Sequence, residues 1–168
     1  MREAICVENL SLSIKGKEIL KSVSHSFERG QIHGLIGRNG SGKTMLMKCI
    51  CGFVRPTGGK VTIEGKVIGK DCDFPENIGI IIENPDLLIL DEPMNGLDKE
   101  GVNDMRRYLL NLKEQGKTIL IASHNSEDIS TLCDTVCEME KGILKNISNR
   151  VYLVKNGGKY YTDTEQNV

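Results

Sequence analysis

Eight consecutive residues, Gly37-Arg38-Asn39-Gly40-Ser41-Gly42-Lys43-Thr44, place two glycines in register with a following Lys-Thr pair. That is the spacing of a loop that wraps a phosphate chain. Glycine at 37, 40 and 42 frees the backbone for conformations that a side chain forbids. Its N–H groups can then close around phosphate oxygens at a helix N-terminus. Lys43 supplies a mobile cation for β- and γ-phosphates, and Thr44 offers a hydroxyl to Mg²⁺, which prefers hard oxygen ligands. A chance glycine-rich turn is the alternative, and the downstream residues weigh against it.

Leu87-Leu88-Ile89-Leu90 ends in Asp91-Glu92, a buried strand delivering two carboxylates to one edge. Asp91 is suited to hold Mg²⁺ through its water shell, and Glu92 to polarise an attacking water. An ordinary strand capped by acids is the competing reading. Thr118-Ile119-Leu120-Ile121-Ala122 is a further buried strand ending at Ser123-His124. A histidine just past the C-terminal end of a parallel strand faces the ligand crevice of an open α/β sheet, where it can reach a γ-phosphate. A structural histidine is the alternative there.

The elements that must position these groups follow from periodicity. Residues 31–36 predict a strand and residues 45–50 a helix, on either side of the phosphate loop. Residues 3–29 alternate apolar and polar around Lys15-Gly16-Lys17, with Ala4, Cys6, Ile19, Leu20, Val23 and Phe27 apolar, and predict an antiparallel pair. Pro56-Thr57-Gly58-Gly59 marks a turn before a second hairpin, 60–68, reversed at Glu64-Gly65-Lys66. Asp98 caps a helix carrying Val102, Met105, Leu109 and Leu112, which stops at Gly116. Ser126 caps a short helix with Ile129, Leu132 and Cys133 inward, and 136–147 reads as a hairpin around Lys141-Gly142. Residues 151–162 carry a last hairpin signal with three of the four tyrosines; an edge hairpin and a partner-binding patch are both open readings.

At 168 residues there is room for one well-buried core. With 22 basic against 23 acidic side chains, no global field recruits nucleic acid or membrane lipid. No apolar run reaches membrane-spanning length, and Met1-Arg2-Glu3-Ala4-Ile5 is no signal peptide. The six cysteines form no Cys-x-x-Cys pair and read as reduced; a metal site using Cys133 and Cys137 at one-turn helical spacing is the alternative.

Taken in order, Gly37 to Thr44, Leu87 to Glu92, Asn95 to Asp98 and Ser123-His124 resemble the ATP-binding subunits of ABC transporters, over residues 1 to about 147. The resemblance implies an α/β fold: a P-loop NTPase core with a mainly parallel sheet plus a flanking antiparallel β layer, followed by a tail over 148–168. It implies a cytoplasmic subunit, attached to the membrane through transmembrane permease subunits, that forms a homodimer sandwiching ATP and Mg²⁺. By match, Lys43 and Thr44 are phosphate and Mg²⁺ ligands, Asp91 a Mg²⁺ ligand, Glu92 the catalytic carboxylate, Asp98 the dimer-loop acid and His124 the switch. Glu83 stands where the family usually has a Gln that meets the metal, a variation similar to bacitracin- or lantibiotic-type exporters. Two other departures stand out. Ile14 occupies the position where the family stacks an aromatic on adenine, and the helical subdomain with its Leu-Ser-Gly-Gly-Gln-like signature has no counterpart.

The departure at 83–86 carries a geometric consequence. If Ile78 to Ile82 and Leu87 to Leu90 are parallel neighbours, the four residues Glu83 to Asp86 must carry the chain back. Extended, they reach about 14 Å, while returning along a five-residue strand takes roughly 17 Å. Parallel connections need about a dozen residues. Either a segment is left out here, or the two strands pair antiparallel as a hairpin; undamaged motifs on both sides favour the first. Two functional readings follow: an ATPase subunit that powers transport, and a truncated module that binds Mg-ATP without productive turnover.

Overall fold

The computed structural model describes residues 3–75, 78–79 and 85–147. The chain opens with two long strands, β1 (Glu3–Ile14) and β2 (Lys17–Glu28), reversed at Lys15-Gly16 and paired antiparallel. Their alternation holds with a change of phase. Ile5 and Val7 point inward, then Leu10 and Leu12 do, while Cys6 is only half-buried, contrary to the inward place expected for it. The shift comes from a bulge at Asn9 (φ 48°), where the Asn9 N–H donates to Ser24 Oγ across the pair at 2.8 Å. A bulge adds one residue to a strand and so moves every later side chain to the other face.

Beyond β3 (Ile32–Ile36) and α1 (Lys43–Ile50), β4 (Gly58–Ile63) and β5 (Lys66–Val67) form the second hairpin at Glu64-Gly65, with β4 starting two residues earlier than expected. β4 pairs with β1, giving an antiparallel sheet of order β2-β1-β4-β5. The later elements are β6 (Ile78–Gly79), β7 (Leu87–Asp91), α2 (Lys99–Glu114), β8 (Thr118–Ala122), α3 (Ser126–Leu132), β9 (Thr135–Glu140) and β10 (Ile143–Ile147). The second sheet runs β10-β9-β3-β8-β7-β6, parallel throughout except for the β9–β10 hairpin. The α/β core with a flanking antiparallel layer is therefore present.

Phe27, Leu10, Leu46 and Ile50 are fully buried between the antiparallel sheet and α1. On the other side, Leu109 and Leu112 of α2 pack with Ile119 and Ile121 of β8 and Leu88 of β7. Full burial of each such side chain contributes about 1.5–3 kcal/mol. Every residue of β3 and β8 is buried, as expected of central parallel strands.

Local signals set the helix ends. Asp98 Oδ1 accepts from the Gly101 N–H at 2.8 Å and caps α2. At the other end Gly116 (φ 81°) donates to the Lys113 carbonyl and Lys117 to that of Leu112, a Schellman closure. α3 starts one residue earlier than expected: Ser126, the expected cap, is its first residue, and the Asn125 carbonyl takes the first helical bond, from the Ile129 N–H.

The largest correction concerns β6 and β7. They pair in parallel, Ile78 with Leu87 and Gly79 with Leu88, which overturns the antiparallel hairpin alternative. The described residues of β6 are Ile78 and Gly79, the first two of the five expected. Glu83 and Asn84, the rest of Ile78 to Ile82, and the tail hairpin of 151–162 lie outside the described residues. Cys137 lies in β9 and Cys133 just after α3, so the one-turn helical spacing assumed for a metal pair does not exist. All six cysteines are free thiols.

Candidate functional site

β3 ends at Ile36, and the chain then turns through Gly37 (φ 148°), Gly40 (φ 77°) and Gly42 (φ 115°) before α1 begins at Lys43. Gly37 is fixed by space as well as by φ: a Cβ there would lie 2.3 Å from the Met139 carbonyl oxygen. α1 has no side-chain cap, so the N–H groups of its first turn are left to a ligand. Lys43 is buried and its Nζ donates to the Gly37 carbonyl at 2.6 Å, keeping the ammonium within the loop. Arg38, Asn39 and Gly40 form the exposed rim. Ser41 is buried with its Oγ unpartnered, a polar atom inside the loop that a phosphate oxygen would satisfy.

The strand order brings the remaining groups to the same edge. Leu35 of β3 pairs with Ala122 of β8, and Ala122 pairs with Asp91 of β7, so all three strands end in one row beside the loop. There the Thr44 hydroxyl donates to Asp91 Oδ2 at 3.0 Å, joining residues 47 positions apart. Beyond the strand, Glu92 adopts left-handed backbone (φ 51°) and is held by its N–H to the Ala122 carbonyl at 2.8 Å. A non-glycine residue in that region costs about 1–3 kcal/mol and persists where surrounding structure enforces it. The strain turns the Glu92 carboxylate toward His124, whose Nδ1 lies 2.8 Å from Oε1. Neighbouring Ser123 is buried, and its Oγ accepts from the Asn125 N–H.

These contacts suit a metal–phosphate ligand. Mg²⁺ takes one or two protein oxygens and completes its shell with phosphate and water; the exposed Thr44 hydroxyl and Asp91 carboxylate are such a pair. Among the described residues no cluster of three or more His, Cys, Asp or Glu forms a self-sufficient metal cage. The structure thus brings together Gly37 to Thr44, Asp91, Glu92 and His124. Asp98 lies apart as the cap of α2, and Ile14 closes β1 with its side chain 39% exposed.

Sequence reasoning missed the back of the loop. The Gly142 N–H donates to the Ser41 carbonyl at 2.8 Å, and the Gly142 carbonyl accepts from the Lys21 N–H at 2.9 Å. A glycine in a Lys-Gly turn signals its own hairpin, and nothing local in sequence signals a contact 101 residues away.

Comparison with known proteins agrees with this geometry. A family model described as ABC transporter matches residues 20–84. An ABC transporter ATP-binding protein of Bacillus subtilis, YybJ, is 33% identical over 211 residues, covering 87% of this chain and 97% of that protein. The lantibiotic transport ATP-binding protein SrtF of Streptococcus pyogenes is 27% identical over 192 residues, covering 77% of this chain and 84% of SrtF. A solved dimeric ATP-binding cassette, MJ0796 bound to ADP and Pi, superposes with a TM-score of 0.74 at 15% identity, over 84% of this chain and 98% of that one, a likeness of fold. The alignment with YybJ holds one more fact: 87% of 168 residues is about 146, so roughly 65 of the 211 aligned positions have no counterpart here. With the phosphate loop, the Asp91-Glu92 strand end and His124 on one edge, and a relative matched over nearly its whole length, the chain belongs to the ATP-binding proteins of ABC transporters.

Proposed function

We propose that this chain binds Mg-ATP at the edge formed by Gly37 to Thr44, Asp91, Glu92 and His124, as the nucleotide-binding subunit of a transporter whose membrane-spanning subunits are separate chains. The observation that carries the reading is the 3.0 Å bond between Thr44 and Asp91, which sets two hard oxygen donors side by side next to the phosphate loop. In this reading the loop amides and Lys43 bind the β- and γ-phosphates, and Thr44 and Asp91 hold the cation. Bound Mg²⁺ neutralises charge on the phosphate oxygens. Glu92 orients the attacking water, and His124, bonded to it, holds the carboxylate in place and faces the γ-phosphate. Asp98 serves at a dimer face with a second copy, and a cytoplasmic location beneath the membrane follows from the same assignment.

A second reading concerns turnover, and the alignment deficit of about 65 residues favours it. We place the missing stretch at 83–86: the family match ends at residue 84, directly ahead of the strand that carries Asp91. A segment of that size at that point is the helical subdomain with its signature, which closes the partner's ATP site in the resemblance set out above. The chain then binds Mg-ATP and turns it over barely above background, because phosphoryl transfer depends on positioning and charge stabilisation around the γ-phosphate.

Calorimetry with Mg-ATP tests the first reading. Wild-type protein is expected to bind and Lys43→Ala to show no measurable heat; equal affinity in the two would remove the site assignment. Phosphate release on the same samples tests the second reading. Robust turnover that disappears in Glu92→Gln would restore the complete ATPase reading.

A further inference from the structure

The phosphate loop is held from behind by a turn that belongs to neither the strand before it nor the helix after it. The β9–β10 turn makes two backbone hydrogen bonds at one residue: the Gly142 N–H reaches the Ser41 carbonyl and its carbonyl takes the Lys21 N–H, at 2.8 and 2.9 Å. Clearance is absent on both sides. A Cβ on Gly142 would sit 2.4 Å from the Ile19 carbonyl oxygen, and one on Gly37 would sit 2.3 Å from that of Met139, both backbone atoms with little freedom to yield. Three separate stretches, the start of β2, the phosphate loop and the β9–β10 turn, are thus in backbone contact at one point.

We infer that Gly142 is a positioning residue for nucleotide binding: the turn it forms fixes the Ser41 peptide, and through it the phosphate loop, against β2. This rests on the Mg-ATP reading above. Ser41 lies between Gly40 and Gly42, both with positive φ, so the peptide has freedom that its own sequence does not restrain. The hydrogen bond from Gly142 supplies the restraint. Fixing its carbonyl also fixes the plane of the following peptide, whose N–H belongs to Gly42 at the cap of α1. A shift of the turn therefore moves the Ser41–Gly42 peptide within the phosphate loop. The coupling is reciprocal: if the turn strengthens nucleotide binding, bound nucleotide strengthens the turn by the same factor.

Calorimetry with Mg-ATP on wild type, Gly142→Ala and Gly116→Ala tests this. Gly116 has the same left-handed backbone (φ 81°) with open space around it, so Gly116→Ala carries the backbone strain without touching the loop. Gly142→Ala is expected to bind at least about tenfold more weakly, the effect of losing about one net hydrogen bond. Gly116→Ala is expected to stay within about twofold, as strain alone does not reach the site. Amide exchange on wild-type protein supplies a second readout that survives if Gly142→Ala does not fold. Saturating Mg-ATP should slow exchange at Gly142 and Lys21 by about fivefold or more. The Ile68 amide, bonded to the Val61 carbonyl in the β4–β5 hairpin, should respond less. Equal affinity for Gly142→Ala and wild type, or Gly142 and Lys21 amides no more protected than Ile68, would overturn the inference with nucleotide binding intact. A wild type that does not bind Mg-ATP removes the binding reading and this one with it.

Discussion

Glu92 has a partner in His124 at the site, whereas Ile14 is tied to it by the family resemblance alone. Glu92 was legible in sequence by its place after four apolar residues and Asp91, while its left-handed backbone was not, because that conformation comes from the Ala122 hydrogen bond on another strand. Gly142 was missed for the same reason. Ile14, at the end of β1 and 39% exposed, lacks the aromatic face that stacks on a base. Such stacking is worth roughly 1–3 kcal/mol. ATP and GTP are therefore expected to bind within about tenfold of each other, and Ile14→Tyr to tighten ATP binding by about tenfold. Competition titrations measure both, and an ATP preference above tenfold in the wild type would mean that another side chain reads the base.

Element ends were the most legible feature, because caps act within a few residues. Asp98 and Gly116 bound α2 as their types dictate, and Asp98→Ala is expected to cost about 1 kcal/mol through loss of the bond to the Gly101 N–H. A shift of the urea midpoint at unchanged slope would measure it, and no shift would show that the cap is redundant. Strand phase was less legible. The register shift between Glu3 and Ile5 puts Ile5 and Val7 rather than Cys6 on the inner face, the bulge at Asn9 then brings Leu10 and Leu12 inward, and that bulge is set by the Ser24 partner across the sheet as much as by Asn9 itself. The direction of β6 was open for a related reason: the short connection argued against a parallel return along a five-residue strand, yet Ile78 pairs with Leu87 and Gly79 with Leu88 in parallel.

At the scale of the whole molecule, two histidines tie stability to pH where the two sheets meet. His33 of β3 is buried, with Nδ1 bonded to Thr135 Oγ1 at 2.6 Å and Nε2 to the Glu28 carbonyl at 2.8 Å; His25 of β2 lies 3.1 Å from Cys137 Sγ of β9. Burial lowers the pKa of both below the usual 6.5, and their mutual repulsion lowers that of His25 further. Folding thus releases protons when the unfolded histidines are charged, so stability is full above about 6.5 and falls as pH drops through the depressed values. Urea midpoints at pH 7.5 and 5.5 are expected to differ in that direction, and His33→Gln to reduce the difference. An unchanged difference would assign the slope to other groups.

The position of β3 between β8 and β9 also sets an order in time. The phosphate loop is synthesised early, yet the strand before it has no partner in the second sheet until Thr118 to Ala122 have been made, and Ser41 waits for Gly142, 101 residues later. At about 5–20 residues per second, that interval on the ribosome lasts on the order of 5–20 s. Throughout it the nascent chain carries the loop without its backing. Competence to hold nucleotide therefore arrives with the β9–β10 hairpin, and nucleotide has no earlier framework on which to act as a template for folding.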